Sequence, residues 1–277
     1  MCIEKFLMTR SFSISAILTA VFIAVLLFSH HLSARATGRP AEQNSPIRRS
    51  VSDVIRQYGE GAEARLVQAF SQAGVAYPPA KVALLGLKAE RALEVWAFEG
   101  NDWHFVTKYP IRAASGTAGP KLRQGDRQVP EGVYRITWLN PNSSFHLSMK
   151  LDYPNAFDLR QARQEGRQKP GNDIFIHGNS VSIGCLAMGD RAIEDLFILT
   201  DAVGKKNIRV VIAPHDPRRA PLPRSLPNGP TWLPELYEQI EKEFSAFGGE
   251  KPRRDSLEDG SYVGDETGRG LSGMALV

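Results

Sequence analysis

The sequence predicts a mainly β (α+β) fold, in which strands form a sheet sandwich or a partly open barrel and a few helices lie at its periphery. Short apolar runs of strand length recur through the middle of the chain, at 82–87, 93–98, 103–107, 132–138, 145–150, 174–177 and 208–213. Turn signals separate them, such as Gly119-Pro120 and the 129–132 segment Val-Pro-Glu-Gly. Strands at this spacing are typical of mostly antiparallel sheets.

Three segments have helical periodicity instead. Leu66, Phe70 and Ala73 recur at helical spacing and end at Gly74, which predicts a short amphipathic helix with a glycine after its end. A second helix is expected to begin with Asp190 as its N-cap. A third apolar helical face is formed by Leu233, Leu236, Ile240, Phe244 and Phe247.

The first 36 residues are predicted to be an export signal. Lys5 and Arg10 precede an apolar run that extends over 14–28, and the 34–36 segment Ala-Arg-Ala offers a cleavage site with small residues. An uncleaved membrane anchor through residues 11–29 is the alternative, because the run is only slightly shorter than a bilayer span. Both interpretations place the rest of the chain in the periplasm or the cell envelope.

Composition and charge exclude several classes of protein. The chain of 277 residues is 42% hydrophobic and 23% charged, as globular domains are. Half of its formal net charge of +4 comes from Lys5, Arg10 and Arg35 against Glu4 in the signal. The basic residues form no patch with interleaved aromatics, so no nucleic-acid partner is expected. No histidines are paired at metal-ligand spacing, so no metal and no cofactor are expected.

Cysteine usage points to one residue. Cys2 lies in the polar start of the signal, and Cys185 is the single cysteine of the predicted mature chain. Exported proteins usually pair their cysteines, so a lone thiol is a dimer bridge, an inert buried residue or a nucleophile. The residues alone leave these alternatives open.

The segment from His177 to Cys185 can supply the groups that a thiol nucleophile needs. His177 ends the buried run 174–176 and lies within loop-closing distance of Cys185, so it is the candidate base. The amides of Gly184 and Cys185 are candidate oxyanion donors, because glycine allows close approach of the backbone. Ser182 is a candidate supporting residue that could orient His177 or line the pocket, and Gly178 and Asn179 are candidate substrate-binding residues. The alternative is a glycine-rich turn beside a packed cysteine.

A His-paired thiol is expected to be partly exposed and largely ionised at neutral pH.

This segment resembles the signature of the L,D-transpeptidase catalytic-domain (YkuD-like) family, in which a His-Gly pair is followed by Ser-His-Gly-Cys and then Arg-Met. The matching residues are His177-Gly178, the 182–185 segment Ser-Ile-Gly-Cys, and Ala187-Met188. The segments 119–126, 130–135 and 153–158 are similar to those of the subgroup called YafK-like. The resemblance extends over roughly residues 80–215.

The resemblance implies a peptidoglycan enzyme of cell-wall biogenesis and cell shape. The Cys185 thiolate would attack the carbonyl of the third residue of a stem tetrapeptide, D-alanine would leave, and an amine would resolve the acyl-enzyme. Partners would be peptidoglycan stem peptides and a peptidoglycan-anchored lipoprotein. Two alternatives stay open, a hydrolase (amidase) of the same family, in which water resolves the acyl-enzyme, and a non-catalytic wall-binding module.

The sequence departs from the family signature at two residues and in one loop length. Ile183 replaces the second histidine, which leaves His177 as the nearby base. Ala187 replaces the arginine, which removes a charge that could organise the loop or contact a substrate carboxylate. The loop between His177 and Cys185 is also shorter than usual, which opens the site to bulky substrates or water.

The predicted domain organisation follows from these segments. It is listed here by residue range: 1–36 signal, 37–51 linker, 52–78 N-terminal helical extension, 79–216 L,D-transpeptidase-like catalytic domain, 217–247 C-terminal helical extension, and 248–277 disordered tail.

Overall fold

The computed structural model describes residues 48–248, and the predicted signal, its 11–29 anchor and nearly all of the predicted tail lie outside this range. Four α-helices and nine strands follow one another within this range. The helices are α1 Val51–Gln72, α2 Ala156–Gln164, α3 Asp190–Val203 and α4 Leu233–Phe244. The strands are β1 Lys81–Leu87, β2 Ala92–Glu99, β3 Asp102–Pro110, β4 Ala113–Ala114, β5 Gly132–Ser143, β6 His146–Leu151, β7 Phe175–His177, β8 Leu186–Ala187 and β9 Ile208–Ala213.

The strands form one mixed sheet in the order β3-β2-β1-β9-β5-β6-β7-β8-β4. Six of the eight pairings within the described residues are antiparallel, while β1 with β9 and β7 with β8 are parallel. The sheet is open, with β3 and β4 at its edges. The predicted mainly β fold with peripheral helices is therefore confirmed, and its strands form an open sheet, not a closed barrel.

Two apolar layers cover the two faces of the sheet. The larger core joins alternate side chains of the strands to α1 and α3, through residues such as Phe70 and Phe197. The smaller core packs the opposite face of β1 and β9 against α4, through residues such as Tyr237 and Phe244. Strands β1 and β9 are buried on both faces, as their nearly continuous apolar sequence requires.

Helices α1 and α3 differ from the sequence-based predictions at their N-terminal ends. Helix α1 begins at Val51 because Ser50 caps it and forms a capping box with Asp53. Helix α3 has Gly189 as its N-cap, so the expectation that Asp190 is the N-cap was wrong by one residue. Helix α2 was not predicted, and Asn155 and Asp158 form its capping box.

Within residues 48–248, no helix combines the length and the hydrophobicity needed to cross a bilayer.

A buried carboxylate connects three separate parts of the fold. Glu131 is fully buried. Its Oε1 accepts hydrogen bonds from Lys88 Nζ at 2.8 Å and from the Gly119 amide at 2.9 Å, and its Oε2 accepts one from the Tyr237 hydroxyl at 2.7 Å. Lys88 follows β1, Gly119 lies in the 115–131 loop, and Tyr237 lies on α4. The position of the loop therefore depends on this one side chain.

We expect Glu131→Gln to lower the free energy of unfolding by about 3–5 kcal/mol, because it leaves the Lys88 ammonium buried without its counter-ion. Urea denaturation at neutral pH measures the change. Glu99→Gln, at the exposed end of β2, is the matched control and should change stability by less than about 0.5 kcal/mol. An equal loss in the two variants would contradict this account of Glu131.

Candidate active site

Parallel pairing of β7 and β8 places His177 and Cys185 diagonal to one another on one face of the sheet. Ile176 pairs with Leu186 and His177 pairs with Ala187, so Cys185 lies next to Phe175 at the start of this pairing. Ile176 and Leu186 point into the larger core. Because side chains alternate along a strand, His177 and Cys185 both lie on the opposite face.

The spacing on that face lets the two side chains meet. Neighbouring strands lie about 4.8 Å apart, and residues two apart along a strand are separated by about 6.6 Å. An imidazole and a thiol extend far enough from their Cα atoms to span this diagonal. In this structure, within residues 48–248, they share no hydrogen bond: Cys185 Sγ lies 3.9 Å from the Asp173 carbonyl oxygen, and His177 Nδ1 lies 2.6 Å from the Gly178 carbonyl oxygen.

The contact with Gly178 fixes the tautomer of His177. A carbonyl oxygen can only accept, so Nδ1 carries the proton and Nε2 keeps a free lone pair. The ring of Phe145 covers that of His177, with the ring centroids 4.7 Å apart. His177 is buried, and burial lowers its pKa, while the bond to Gly178 acts in the opposite direction. The imidazole is therefore neutral at pH 7 and has a nitrogen that can accept a proton.

Cys185 is half-buried, and its thiol is free. Burial raises its pKa, and the negative charge of Asp173 adds to this effect. The Phe175 amide and the positive charge of Lys121 act in the opposite direction, because they stabilise a thiolate. The sequence-based expectation of a partly exposed thiol agrees with this environment, but the expectation that it is largely ionised does not hold for this structure.

Ser182 holds the turn that leads into Cys185. Its Oγ donates to the Cys185 carbonyl at 2.6 Å and accepts from the amides of Gly184 at 3.3 Å and Cys185 at 3.1 Å. The Ser115 hydroxyl lies 3.4 Å from the same Oγ. Ser182 thus supports the loop rather than His177. Both predicted oxyanion donors, the amides of Gly184 and Cys185, are bonded to Ser182 here. Their role as donors to an oxyanion therefore stays a prediction, and it requires Ser182 to release them.

Gly178 and Asn179 connect the loop to α3. A Cβ atom on Gly178 would lie 2.6 Å from the Phe145 carbonyl oxygen and 2.7 Å from Asp190 Oδ1, so only glycine fits. Asn179 has a φ of 60°, and its amide donates to Asp190 Oδ1 at 2.7 Å. Both residues shape the loop in this structure, and their predicted contact with substrate stays a prediction.

An arginine that the sequence analysis missed lies next to Ala187. The Arg112 amide donates to the Ala187 carbonyl at 2.8 Å, and β4 pairs with β8 through Ala113 and Ala187. The Arg112 side chain passes along Gly189 into a cavity of about 340 Å³ that Met188 also lines. No local signal could have revealed this neighbour, because more than seventy residues separate the two strands.

Residues 48–248 contain no group of three or more histidine, cysteine or acidic side chains placed to hold a metal ion. Of the other histidines in this range, His146 contacts Glu194 at 2.9 Å and His215 contacts the Ala220 carbonyl at 3.1 Å. These two histidines therefore bond to groups other than His177 and Cys185.

We expect alkylation of Cys185 by iodoacetamide to need a higher pH than alkylation of free cysteine, because burial raises the thiol pKa. A Cys2→Ser chain leaves one thiol, and rates measured across the alkaline range give the inflection. Asp173→Asn should move the inflection to lower pH, since it removes a nearby negative charge at a position with φ 54° that asparagine tolerates. Asp201→Asn, on the exposed side of α3, is the control. An inflection below that of free cysteine would refute this description of the thiol.

We expect Gly178→Ala to destabilise the protein by about 1–3 kcal/mol, because its methyl group overlaps backbone and carboxylate atoms that cannot move easily. Gly59→Ala in α1 is the matched control, since its nearest neighbour would be Ile55 at 3.5 Å. That variant should gain about 0.5–1 kcal/mol from helix propensity. Thermal or urea denaturation distinguishes them, and equal stability of the two variants would speak against the close approach at Gly178.

Comparison with known proteins identifies the family of this chain. A model of the YkuD L,D-transpeptidase catalytic domain matches residues 87–212. YafK of Escherichia coli K12, which is named only provisionally as an L,D-transpeptidase, is 32% identical over 182 residues, covering 64% of this chain and 70% of that protein. The protein of the same name in Escherichia coli O157:H7 gives the same values.

Two solved structures are similar at lower identity. The helical cell shape determining protein Pgp2 of Campylobacter jejuni is 21% identical, with a TM-score of 0.40, covering 50% of this chain and 49% of Pgp2. Bd1075 of Bdellovibrio bacteriovorus is 20% identical, with a TM-score of 0.37, covering 61% of this chain and 58% of that one. This chain thus spans about half the length of Pgp2. His177 and Cys185 lie within the residues that the family model matches. Together with the 32% identity to YafK over 70% of that protein, this match shows the family: the chain belongs to the YkuD family of L,D-transpeptidase catalytic domains.

Proposed function

We propose that the protein is a cysteine acyltransferase of the cell envelope that acts on peptidoglycan stem peptides. One observation carries this proposal: the β7 and β8 register puts a half-buried thiol diagonal to an imidazole whose Nε2 lone pair is free. A packed structural cysteine needs no such partner. Family membership supplies the substrate class, and the predicted export signal supplies the compartment.

Acylation begins from a neutral pair. The Cys185 thiol transfers its proton to His177 Nε2 while Sγ attacks the carbonyl carbon of the stem peptide. The carbon–sulfur bond forms, the carbon–nitrogen bond of the amide breaks, and the imidazolium returns the proton to the departing amine. The Phe175 amide and Lys121 favour the thiolate as it develops, because both lower the pKa of Cys185.

The oxyanion that forms during the attack needs donors close to Cys185. The amides of Gly184 and Cys185 are the proposed donors, and Ser182 Oγ holds both in the free protein. We propose that substrate binding shifts this loop and transfers the two amides from the serine to the oxyanion. Val181 and Ile183 are 55% and 79% exposed, so the loop has room to move.

A second acyl transfer completes the reaction. An amine of another stem peptide, or of a peptidoglycan-anchored lipoprotein, attacks the thioester and regenerates the thiol. The exposure of Ile183 also favours the hydrolase alternative, because water can approach the thioester from the same side. The two reactions share every step until the acyl group is removed.

The test is to incubate the protein with disaccharide tetrapeptides and with protein-linked muropeptides and to identify the products by mass. We expect D-alanine release together with new cross-links, and a covalent thioester that Cys185→Ala abolishes. His177→Gln should slow acylation by about 10²–10⁴-fold, the usual contribution of a general base. Ser180→Ala, on the exposed part of the same loop, is the matched control and should retain activity.

Other products distinguish the alternatives. Disaccharide tripeptide with free D-alanine, or released protein, without cross-links would show the hydrolase in place of the transferase. If no substrate is changed and the Cys185→Ala protein binds peptidoglycan as well as the unaltered protein does, a non-catalytic binding module is the correct description.

A further inference from the structure

Three cationic side chains lie side by side on one face of the sheet, away from Cys185. Arg135 on β5 and Arg209 on β9 are directly opposite one another in the antiparallel register. Lys81 at the start of β1 lies two residues before Ala83, which pairs with Arg209. All three project from the face that packs against α4, just beyond the end of its apolar core.

This arrangement is unfavourable without a counter-ion. Directly opposed side chains in an antiparallel pair have Cβ atoms about 4.5–5.5 Å apart, and like charges there destabilise the sheet. Glu243 of α4 pairs with Arg209, which offsets one of the charges. Asp152 Oδ1 accepts the Arg135 backbone amide at 2.9 Å. Among the described residues, no carboxylate pairs with the Arg135 guanidinium.

The same cations line a cavity of about 350 Å³. Lys206, on the short 3-10 helix before β9, adds a fourth positive charge to it, and its ammonium has no ion-pair partner among residues 48–248. Asp152 and Glu243 are the acidic side chains on its wall. The wall therefore has an excess of two positive charges, and the side chains of Trp103 and Val133 provide an apolar floor.

We propose that this cavity binds a phosphate group. Guanidinium groups present a planar set of donors that matches the oxygens of a phosphate, and lysines add charge around it. An excess of two positive charges suits a phosphate better than a single carboxylate. The inference does not depend on the proposed function, because neither His177 nor Cys185 lines the cavity. A soluble phosphate and a phospholipid headgroup share this chemistry.

Thermal unfolding at low ionic strength tests the proposal. Sodium phosphate should raise the Tm of the unaltered protein more than sodium chloride of equal ionic strength does, because specific binding adds to screening. Arg135→Gln should weaken phosphate binding roughly tenfold, as expected for the loss of a hydrogen bond between charged groups. Without phosphate it should be as stable as the unaltered protein or more stable, since the opposed pair is gone.

Two further variants keep the result interpretable. Lys206→Gln changes an exposed residue of the cavity wall and should also reduce the phosphate effect, even if Arg135→Gln does not fold. Arg56→Gln removes an exposed charge on α1, outside the cavity, and should leave the effect unchanged. Equal Tm shifts with phosphate and chloride, or a phosphate effect that both cavity variants retain in full, would overturn the proposal.

Sedimentation with vesicles identifies the source of the phosphate. Binding to vesicles of phosphatidylglycerol and phosphatidylcholine, reduced in Arg135→Gln but not in Arg56→Gln, would assign a lipid headgroup. A phosphate-specific Tm shift without vesicle binding would assign a soluble phosphate compound.

Discussion

The position of the candidate active site depends on the buried carboxylate of Glu131. Its contacts with Lys88, Gly119 and Tyr237 fix the 115–131 loop between the sheet and α4. The loop in turn brings the Ser115 hydroxyl to Ser182, which holds the amide and the carbonyl of Cys185. A charged core residue that is distant in sequence thus helps to set the orientation of the Cys185 backbone. Because both carboxylate oxygens of Glu131 accept hydrogen bonds, the network rigidifies the loop instead of weakening the core.

The parts of the site that could be predicted from sequence are those whose cause is local. His177 follows a buried apolar run, and Cys185 returns after a short loop, so spacing made both residues candidates and the family signature supported the pair. Ser182 was expected to orient His177 or line the pocket, and its bonds to the backbone of Gly184 and Cys185 could not be foreseen because they depend on the exact turn. The mainly β fold was predictable for the same reason, since apolar runs of strand length are read directly from the chain.

The remaining features depend on pairings between distant segments. Arg112 next to Ala187 and Arg135 opposite Arg209 both follow from strand register, which alternation alone does not specify. The parallel pairings of β1 with β9 and β7 with β8 were likewise not evident, because the sequence of an apolar strand does not indicate whether its neighbour runs parallel or antiparallel. Helix α2 was missed because polar residues dominate its short sequence, and only its capping box identifies it.

A protonated thiol suits the proposed location of the protein outside the cytoplasm. Thiolates, rather than thiols, are the species that oxidants and disulfides attack. Burial and the charge of Asp173 raise the pKa of Cys185, and in the proposed mechanism His177 Nε2 provides the base at the moment of attack. Under this proposal the same environment protects the sulfur between turnovers and allows its ionisation when a carbonyl is in place.

Asp190 performs two tasks at the start of α3. Asp190 is the first residue of the helix, where the helix dipole favours a carboxylate. Its Oδ1 also accepts a hydrogen bond from the Asn179 amide, and the N-cap Gly189 has no side chain to cap the helix. The Gly189 amide in turn donates to the Asn179 carbonyl. The loop after His177 and the first turn of α3 are therefore tied by hydrogen bonds in both directions, and we expect them to open as one unit in hydrogen exchange. A change that stiffens the first turn of α3 would slow the motion of the loop. Ligand binding at the loop would protect the amides of α3 from exchange, although the ligand does not touch that helix.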